Sequence, residues 1–146
     1  VVMDDSPEAK LALRFAARGA ARTGGGVMVL AIVPPQDFVA FGGVQATIEA
    51  EAREHAEELV AAAADAIAQE ANVTPQIMVK SGKPAEIVRD VIGANDEIAA
   101  LVLATAASGA PGPLVAHFTG HDAGTLPCPV MLVPGAIDLA RLDALS

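Results

Sequence analysis

Runs of consecutive apolar residues recur along the chain and alternate with segments whose apolar residues have helical spacing. The clearest run covers 27–33 and is closed by Pro34 and Pro35. Apolar runs without polar alternation are typical of strands that are covered on both faces. The pattern predicts strands at 1–3, 27–33, 76–80, 98–103 and 129–133.

Helical segments lie between these runs. Ser6 followed by Pro7 predicts a helix start, because serine caps a first turn and proline fits its first position. The apolar residues that follow keep helical spacing until a run of three glycines at 24–26 ends the segment. Further helices are predicted at 45–71, after a loop at 36–44, then from Pro84 onward, and finally at 114–123.

The order of these elements predicts an α/β fold. Alternating strands and helices call for a parallel sheet with right-handed crossovers. We expect a single doubly wound, open, five-stranded sheet of order 3-2-1-4-5, Rossmann-like, with helices on both faces. One domain is expected at 1–134, followed by a tail at 135–146 that is too short to fold alone and should lie against the body or a partner.

Composition narrows the classes of function. The 146 residues carry a net charge of −9 with nine scattered basic residues, which argues against nucleic acid and anionic membranes as partners. The single cysteine, Cys128, fits a reducing compartment, and no apolar run reaches the length of a membrane span. We therefore expect a cytoplasmic protein. The sequence opens on Val1 and leaves open whether residues precede it.

Ligands of open parallel sheets bind beyond the carboxyl ends of the strands. Those ends offer Asp4 and Asp5 after the first strand, 104–112 after the fourth, and Ile32 with Val33 as a side wall. Two adjacent acids could hold Mg²⁺ as in receiver domains, but the third and fifth strands end without the aspartate and lysine that such a site needs. The alternative is that Asp4 satisfies backbone groups at the helix start while Asp5 is solvated.

His117 and His121 have the i, i+4 spacing that can share one metal ion. We expect Asp122 to point away from them, so no third ligand is evident and no metal site is predicted. His117 could instead donate to an anion at the mouth of the pocket. Cys128 is expected to be an inert thiol, and the chain has no recognisable nucleophile–base motif, so we predict that it is not an enzyme.

Four motifs resemble those of the universal stress protein family, and together they span nearly the whole chain. The turn at 3–6 resembles the family's Val-Asp-Gly-Ser turn, and 30–34 resembles its second strand. The segment 82–87, Gly-Lys-Pro-Ala-Glu-Ile, is similar to the family's Gly-Asp-Pro-Ala-Glu-Glu-Ile helix start. The segment 126–133, Leu-Pro-Cys-Pro-Val-Met-Leu-Val, resembles its closing strand.

The resemblance implies how a nucleotide would bind. In members that bind ATP, Asp4 would face the ribose or adenine, the Ile32 backbone would bond to adenine, and a glycine-rich loop after the fourth strand would hold the phosphates. Here alanines replace the glycines of that loop and two prolines remove amide donors, so either no nucleotide binds or ATP or another adenine nucleotide binds a modified pocket. The candidate pocket residues are Asp4, Asp5, Ile32, Val33, Ala104, Thr105, Ala107, His117 and Thr119.

The fifth strand is the expected sheet edge, and the resemblance implies a two-fold homodimer through it. Its residues Val130, Met131, Leu132 and Val133 are too apolar to remain bare, unless the tail covers them. The leading hypothesis is therefore a non-enzymatic stress-response or regulatory protein that acts as a homodimeric binding module, with at most a small-molecule ligand. An adenine-nucleotide switch and a slow nucleotide hydrolase are the alternatives.

Overall fold

Strands and helices alternate along the chain as predicted. The computed structural model describes residues 1–35 and 42–146. In this part of the chain the strands are β1 (Val2–Met3), β2 (Met28–Val33), β3 (Gln76–Ser81), β4 (Leu101–Thr105) and β5 (Val130–Pro134), and the helices are α1 (Pro7–Thr23), α2 (Gly42–Ala71), α3 (Pro84–Ala94), α4 (Pro113–Thr119) and α5 (Leu139–Leu145). The strand pairings found there are all parallel.

The strands form two sheets, so the prediction of one five-stranded sheet is wrong. One sheet has the order β1-β2-β3 and the other contains β4 and β5, and no ladder joins β1 to β4 among the described residues. The length of β1 explains this, because only Val2 and Met3 pair with β2. So short a strand leaves almost no backbone groups for a second neighbour. An apolar cleft of about 700 Å³ opens between the sheets at the amino ends of the strands.

Helices cover both faces of the sheets, as predicted. Along β2, the side chains of Val29, Ala31 and Val33 are buried with residues of α1 and α2. Leu30 is buried on the other face, with residues of α3 and α4. Because successive side chains of a strand point to opposite faces, β2 contributes to two core clusters. This explains why its sequence is apolar without alternation.

Helix α1 packs against both sheets. Its start and end are as predicted, since the Ser6 hydroxyl accepts a hydrogen bond from the Ala9 amide and Gly24 closes the helix at a φ of 74°. On its buried face, Ala9 packs in the cluster formed with β1 and β2. Ala12 packs instead with Val102 of β4. Small side chains allow α1 to approach both sheets closely.

The start of α2 differs from the prediction. The helix begins at Gly42, within the segment expected to be a loop at 36–44. Of that predicted loop, 36–41 lie outside the described residues. The predicted end of α2 at Ala71 is confirmed. Glycine is a poor helix former, so helix propensity predicted the start of α2 later in the chain than it is found.

Two boundaries in the second half of the chain also differ. β4 begins at Leu101 instead of 98, because the Ile98 amide donates its hydrogen bond to a carbonyl of the preceding turn. Helix α4 ends at Thr119 instead of 123, because the glycine that follows leaves the helical conformation. Apolar spacing continues past both points, which is why it could not locate them.

The tail lies on the body of the protein as helix α5. Leu142 is only 1% exposed and packs with Val133 of β5. The Arg14 guanidinium of α1 donates to both carboxylate oxygens of Asp143, at 2.7 and 2.8 Å. Arg18 donates to the Asp143 carbonyl. The hydrogen bonds from Arg14 hold the pKa of the Asp143 carboxyl below its ordinary value.

The tail leaves the outer edge of β5 uncovered. Met131 and Leu132 are 42% and 41% exposed, respectively. Among the described elements, β5 pairs only with β4. The alternative in which the tail covers this edge is therefore wrong.

We expect Asp143→Asn to lower the melting temperature at neutral pH, because the charged pair with Arg14 is lost. In the wild type, the pair contributes stability above the carboxyl's unfolded pKa of about 4, and this contribution is lost as the pH falls through the lower folded pKa. The variant should therefore show a shallower fall of melting temperature in acid. Asp138→Asn, a change at the residue directly before the same helix, removes a carboxylate that makes no ion pair with Arg14, so this control should lower the melting temperature at neutral pH by less.

Candidate functional site

The carboxyl ends of β1, β2 and β4 bring several candidate residues to one end of the fold. Asp4 follows β1, and its carboxylate accepts hydrogen bonds from the amide and the hydroxyl of Ser6. The interpretation of Asp4 as a partner for backbone at the helix start is therefore confirmed. These bonds orient the carboxylate towards α1 and leave its remaining lone pairs for a ligand.

Asp5 is not merely solvated, because it pairs with His55 of α2. The His55 Nε2 lies 2.9 and 2.8 Å from the two carboxylate oxygens of Asp5. This hydrogen bond, together with the charge of Asp5, raises the pKa of His55. Nearby on the same helix, Arg53 donates to the Ser81 hydroxyl at the end of β3, at 2.6 Å. Neither contact was predictable from local sequence patterns, since both join residues far apart along the chain.

The end of β2 forms a wall of the site, and its backbone groups face two directions. Val33 is buried, and its carbonyl accepts a hydrogen bond from the Gly82 amide on the β3 side. The Leu30 amide donates to the Val1 carbonyl on the β1 side. Since backbone groups alternate along a parallel strand, those of half-buried Ile32 face the β1 side: its amide lies at the level of the Met3 carbonyl in the ladder, and its carbonyl lies beyond the point where β1 ends.

The loop after β4 forms the opposite wall. Ala104 and Thr105 are half-buried at the end of the strand, and Ala107 is exposed. Within the loop, the Ala106 amide donates to the Pro111 carbonyl at 3.1 Å. The loop therefore closes on itself and uses one of its own amide donors to do so.

Gly135, which follows β5, packs directly against this loop. A β-carbon on Gly135 would overlap the Thr105 carbonyl oxygen and would lie 2.8 Å from the Ala107 nitrogen. Only glycine permits so close an approach of two backbone segments. Gly135 thus lies against the loop, close to the Ala107 nitrogen. This glycine was not predicted as a site residue, although its place directly after an apolar strand is a signal for close backbone packing.

His117 and Thr119 make their contacts within α4 and the segment that follows it. The Thr119 hydroxyl donates to the Val115 carbonyl of its own helix, at 2.7 Å. The His117 Nε2 lies 2.6 Å from a carboxylate oxygen of Asp122, so the expectation that Asp122 points away is wrong. Arg89 of α3 lies 3.3 Å from the same carboxylate.

These contacts give His117, Asp122 and Arg89 a structural role. The hydrogen bond from His117 and the charge of Arg89 hold the pKa of Asp122 below its ordinary value. The carboxylate thereby joins α3, α4 and the following loop. Among the residues that the structure describes, no three or more His, Cys, Asp or Glu side chains are placed to hold a metal ion.

No helix in the same part of the chain is both long and apolar enough to cross a membrane.

Comparison with known families agrees with this fold. Residues 1–134 match the family model described as the universal stress protein family. The chain belongs to the universal stress protein family. The resemblance seen in the four sequence motifs is therefore confirmed. The match ends at the last residue of β5, so the tail that forms α5 lies outside it.

Solved structures of this family share the architecture. The universal stress protein UspA from Lactobacillus plantarum has a TM-score of 0.78 and 19% sequence identity, over 91% of this chain and 94% of that chain. A universal stress protein family member from Burkholderia pseudomallei has a TM-score of 0.69 and 18% identity, over 92% of each chain. At these identities the likeness concerns the fold alone. A search of curated proteins finds no match.

We expect Gly135→Ala to lower the free energy of unfolding by about 1–3 kcal/mol, because the added methyl group overlaps the loop after β4. Gly19→Ala is the matched control. A β-carbon on Gly19 meets no atom within 4 Å, and the site lies inside α1, so this change should be neutral or slightly stabilising. Denaturant unfolding measures both. Equal effects of the two changes would contradict the proposed contact.

Proposed function

We propose that this member of the universal stress protein family is a non-enzymatic regulatory module that self-associates through β5 and does not hold the phosphates of a nucleotide on the loop after β4. The observation that carries the second part is the backbone of that loop. A phosphate group in such a loop is held by several amide N–H groups that converge on it. The supply of such amides is therefore the deciding quantity.

Several residues of this loop offer no free amide N–H to a phosphate. Pro111 and Pro113 have no N–H, and the Ala106 amide is already bonded to the Pro111 carbonyl. The Ala107 nitrogen lies close to Gly135, which packs against the loop. In the part of the chain that the structure describes, no hydrogen bond or ion pair joins this loop to an arginine or lysine that would compensate. These features favour a pocket without a phosphate cradle.

A second candidate function, recognition of adenine without its phosphates, is favoured by the other wall. The Ile32 carbonyl faces the space beyond β1, and Asp4 stands at the edge of that space with lone pairs left for a hydroxyl group. The amino group of an adenine ring can donate to a carbonyl of this kind. A ligand of this type would gain little from its phosphates.

Calorimetry and thermal shift with ATP, ADP and adenosine, with and without Mg²⁺, test the proposal. We expect no heat of binding and no rise of the melting temperature with ATP up to about 1 mM, which corresponds to a binding free energy weaker than about −4 kcal/mol. Equal affinity for adenosine and ATP would support the second candidate. Tight binding of ATP that adenosine does not reproduce would overturn both. Release of ADP over hours would overturn the non-enzymatic part.

The proposal of self-association rests on the edge of β5. The Leu101 amide donates to the Pro129 carbonyl, so alternate residues 129, 131 and 133 face β4 and the backbone groups of Val130 and Leu132 face outward. No charged residue lies within β5. An apolar, unprotected edge is a template for pairing with another strand. The other outer strand, β3, carries exposed Lys80.

We expect the wild type to be a dimer at micromolar concentration and Leu132→Asp to be a monomer, because two-fold pairing would bring the new carboxylates close together. Ile77→Asp is the matched control. Ile77 is 52% exposed on β3, so the same chemical change on the other outer strand should leave the dimer intact. Light scattering measures the mass of each variant. A wild type that is monomeric at these concentrations would contradict the proposal.

A further inference from the structure

We propose that helix α5, which lies outside the family match, adds a second layer to the homodimer interface through Leu145. This inference rests on the proposed dimerisation through β5. It concerns the part of the chain that the family resemblance does not explain. Four of the five large apolar side chains that are prominently exposed in the described structure, Met131, Leu132, Leu139 and Leu145, lie on β5 and α5.

The area available on β5 requires such a second layer. β5 has five residues, so at ~3.3 Å per residue its edge is only ~17 Å long. Stable interfaces bury ~1,200–2,000 Å² in total. A strand pair of this length supplies hydrogen bonds and register but falls short of that area. The surfaces that flank the edge must therefore contribute.

Helix α5 provides one of these flanks. On the sheet face that α5 covers, Leu142 lies over Val133. Met131, two residues earlier in β5, is on the same face, and it lines the same cleft as Ser146 at the end of the tail. Leu145 therefore ends the helix near the level of Met131, at the amino end of β5.

The direction of each leucine follows from helical geometry. Successive residues turn by ~100°, so Leu145 lies ~200° around the helix from Asp143. Asp143 contacts Arg14 of α1. Leu145 therefore projects from the flank turned away from α1, which is the flank towards the outer edge of β5. Leu139 lies only ~40° from Asp143, on the flank towards α1.

A second copy of this chain is the partner that fits this surface. A two-fold axis that pairs β5 with its mate places the same face of both sheets side by side, so each α5 flank lies beside the flank of its mate. Leucine against leucine is self-complementary, as an isologous interface requires. Arg141 shares the flank with Leu145 and would lie at the polar rim.

Comparison of Leu145→Ser with Leu139→Ser tests this inference by analytical ultracentrifugation. The side chains of the two leucines are similarly exposed, at 52% and 50%, and lie on different flanks of the same helix. We expect Leu145→Ser to raise the dimer dissociation constant by about tenfold or more, because a partly buried leucine is lost from each of the two copies. Leu139→Ser should change it by less than about twofold.

The outcomes separate this inference from the dimer itself. If Leu132→Asp is monomeric but the two serine variants dimerise equally well, α5 is not part of the interface and only the inference fails. If the wild type is a monomer throughout, the proposed dimer fails first, and the inference fails with it. Circular dichroism and melting of each variant exclude unfolding as the cause, since Leu145 and Leu139 are both exposed and their loss should leave the fold intact.

Discussion

Side-chain packing, and not a backbone ladder, holds the two sheets together. Within the described residues no backbone hydrogen bonds join β1 to β4; on one side the buried face of α1 reaches both sheets, and on the other Leu30 of β2 packs in one cluster with Leu101 of β4. Alanines on the buried face of α1, among them Ala9 and Ala12, let the helix backbone lie close to the strands. The tail adds to the same assembly, because Arg14 and Arg18 of α1 bind it. A larger side chain at Ala12 would separate the sheets and displace α5 together.

The sequence predicted the class of the fold well because its signals were local. Uninterrupted apolar runs identified the strands, and Ser6 and Gly24 marked the ends of α1. The division into two sheets was not predictable in the same way. Apolar spacing indicates that a strand is buried, but it carries no information about which neighbour the strand bonds to. A strand of two residues such as β1 is buried by its neighbours without having to join both of them.

The candidate site, too, was predictable only where its signals were local. Chain order places Asp4, Ile32 and Ala104 at the carboxyl ends of strands, and the structure puts them there. The contacts that set the chemistry join residues distant in sequence: His55 with Asp5, and Gly135 with the loop after β4. His117 shows the opposite case, because its nearest partner, Asp122, was dismissed although it lies only five residues away. Turns that follow a helix depend on the positions of glycines, and the spacing of apolar residues gives no information about them.

The unequal character of the two outer strands limits how far association through them can extend. Only β5 has a long uncharged segment, whereas β3 ends in exposed Lys80 and Ser81. A molecule with two edge strands that are open to pairing can add further copies indefinitely, as in fibrils. A molecule with one such edge strand forms a closed dimer when that strand pairs with one copy related by a two-fold axis. Under the proposed association through β5, the charge of Lys80 on β3 would disfavour the addition of further copies, and assembly would stop at a closed dimer.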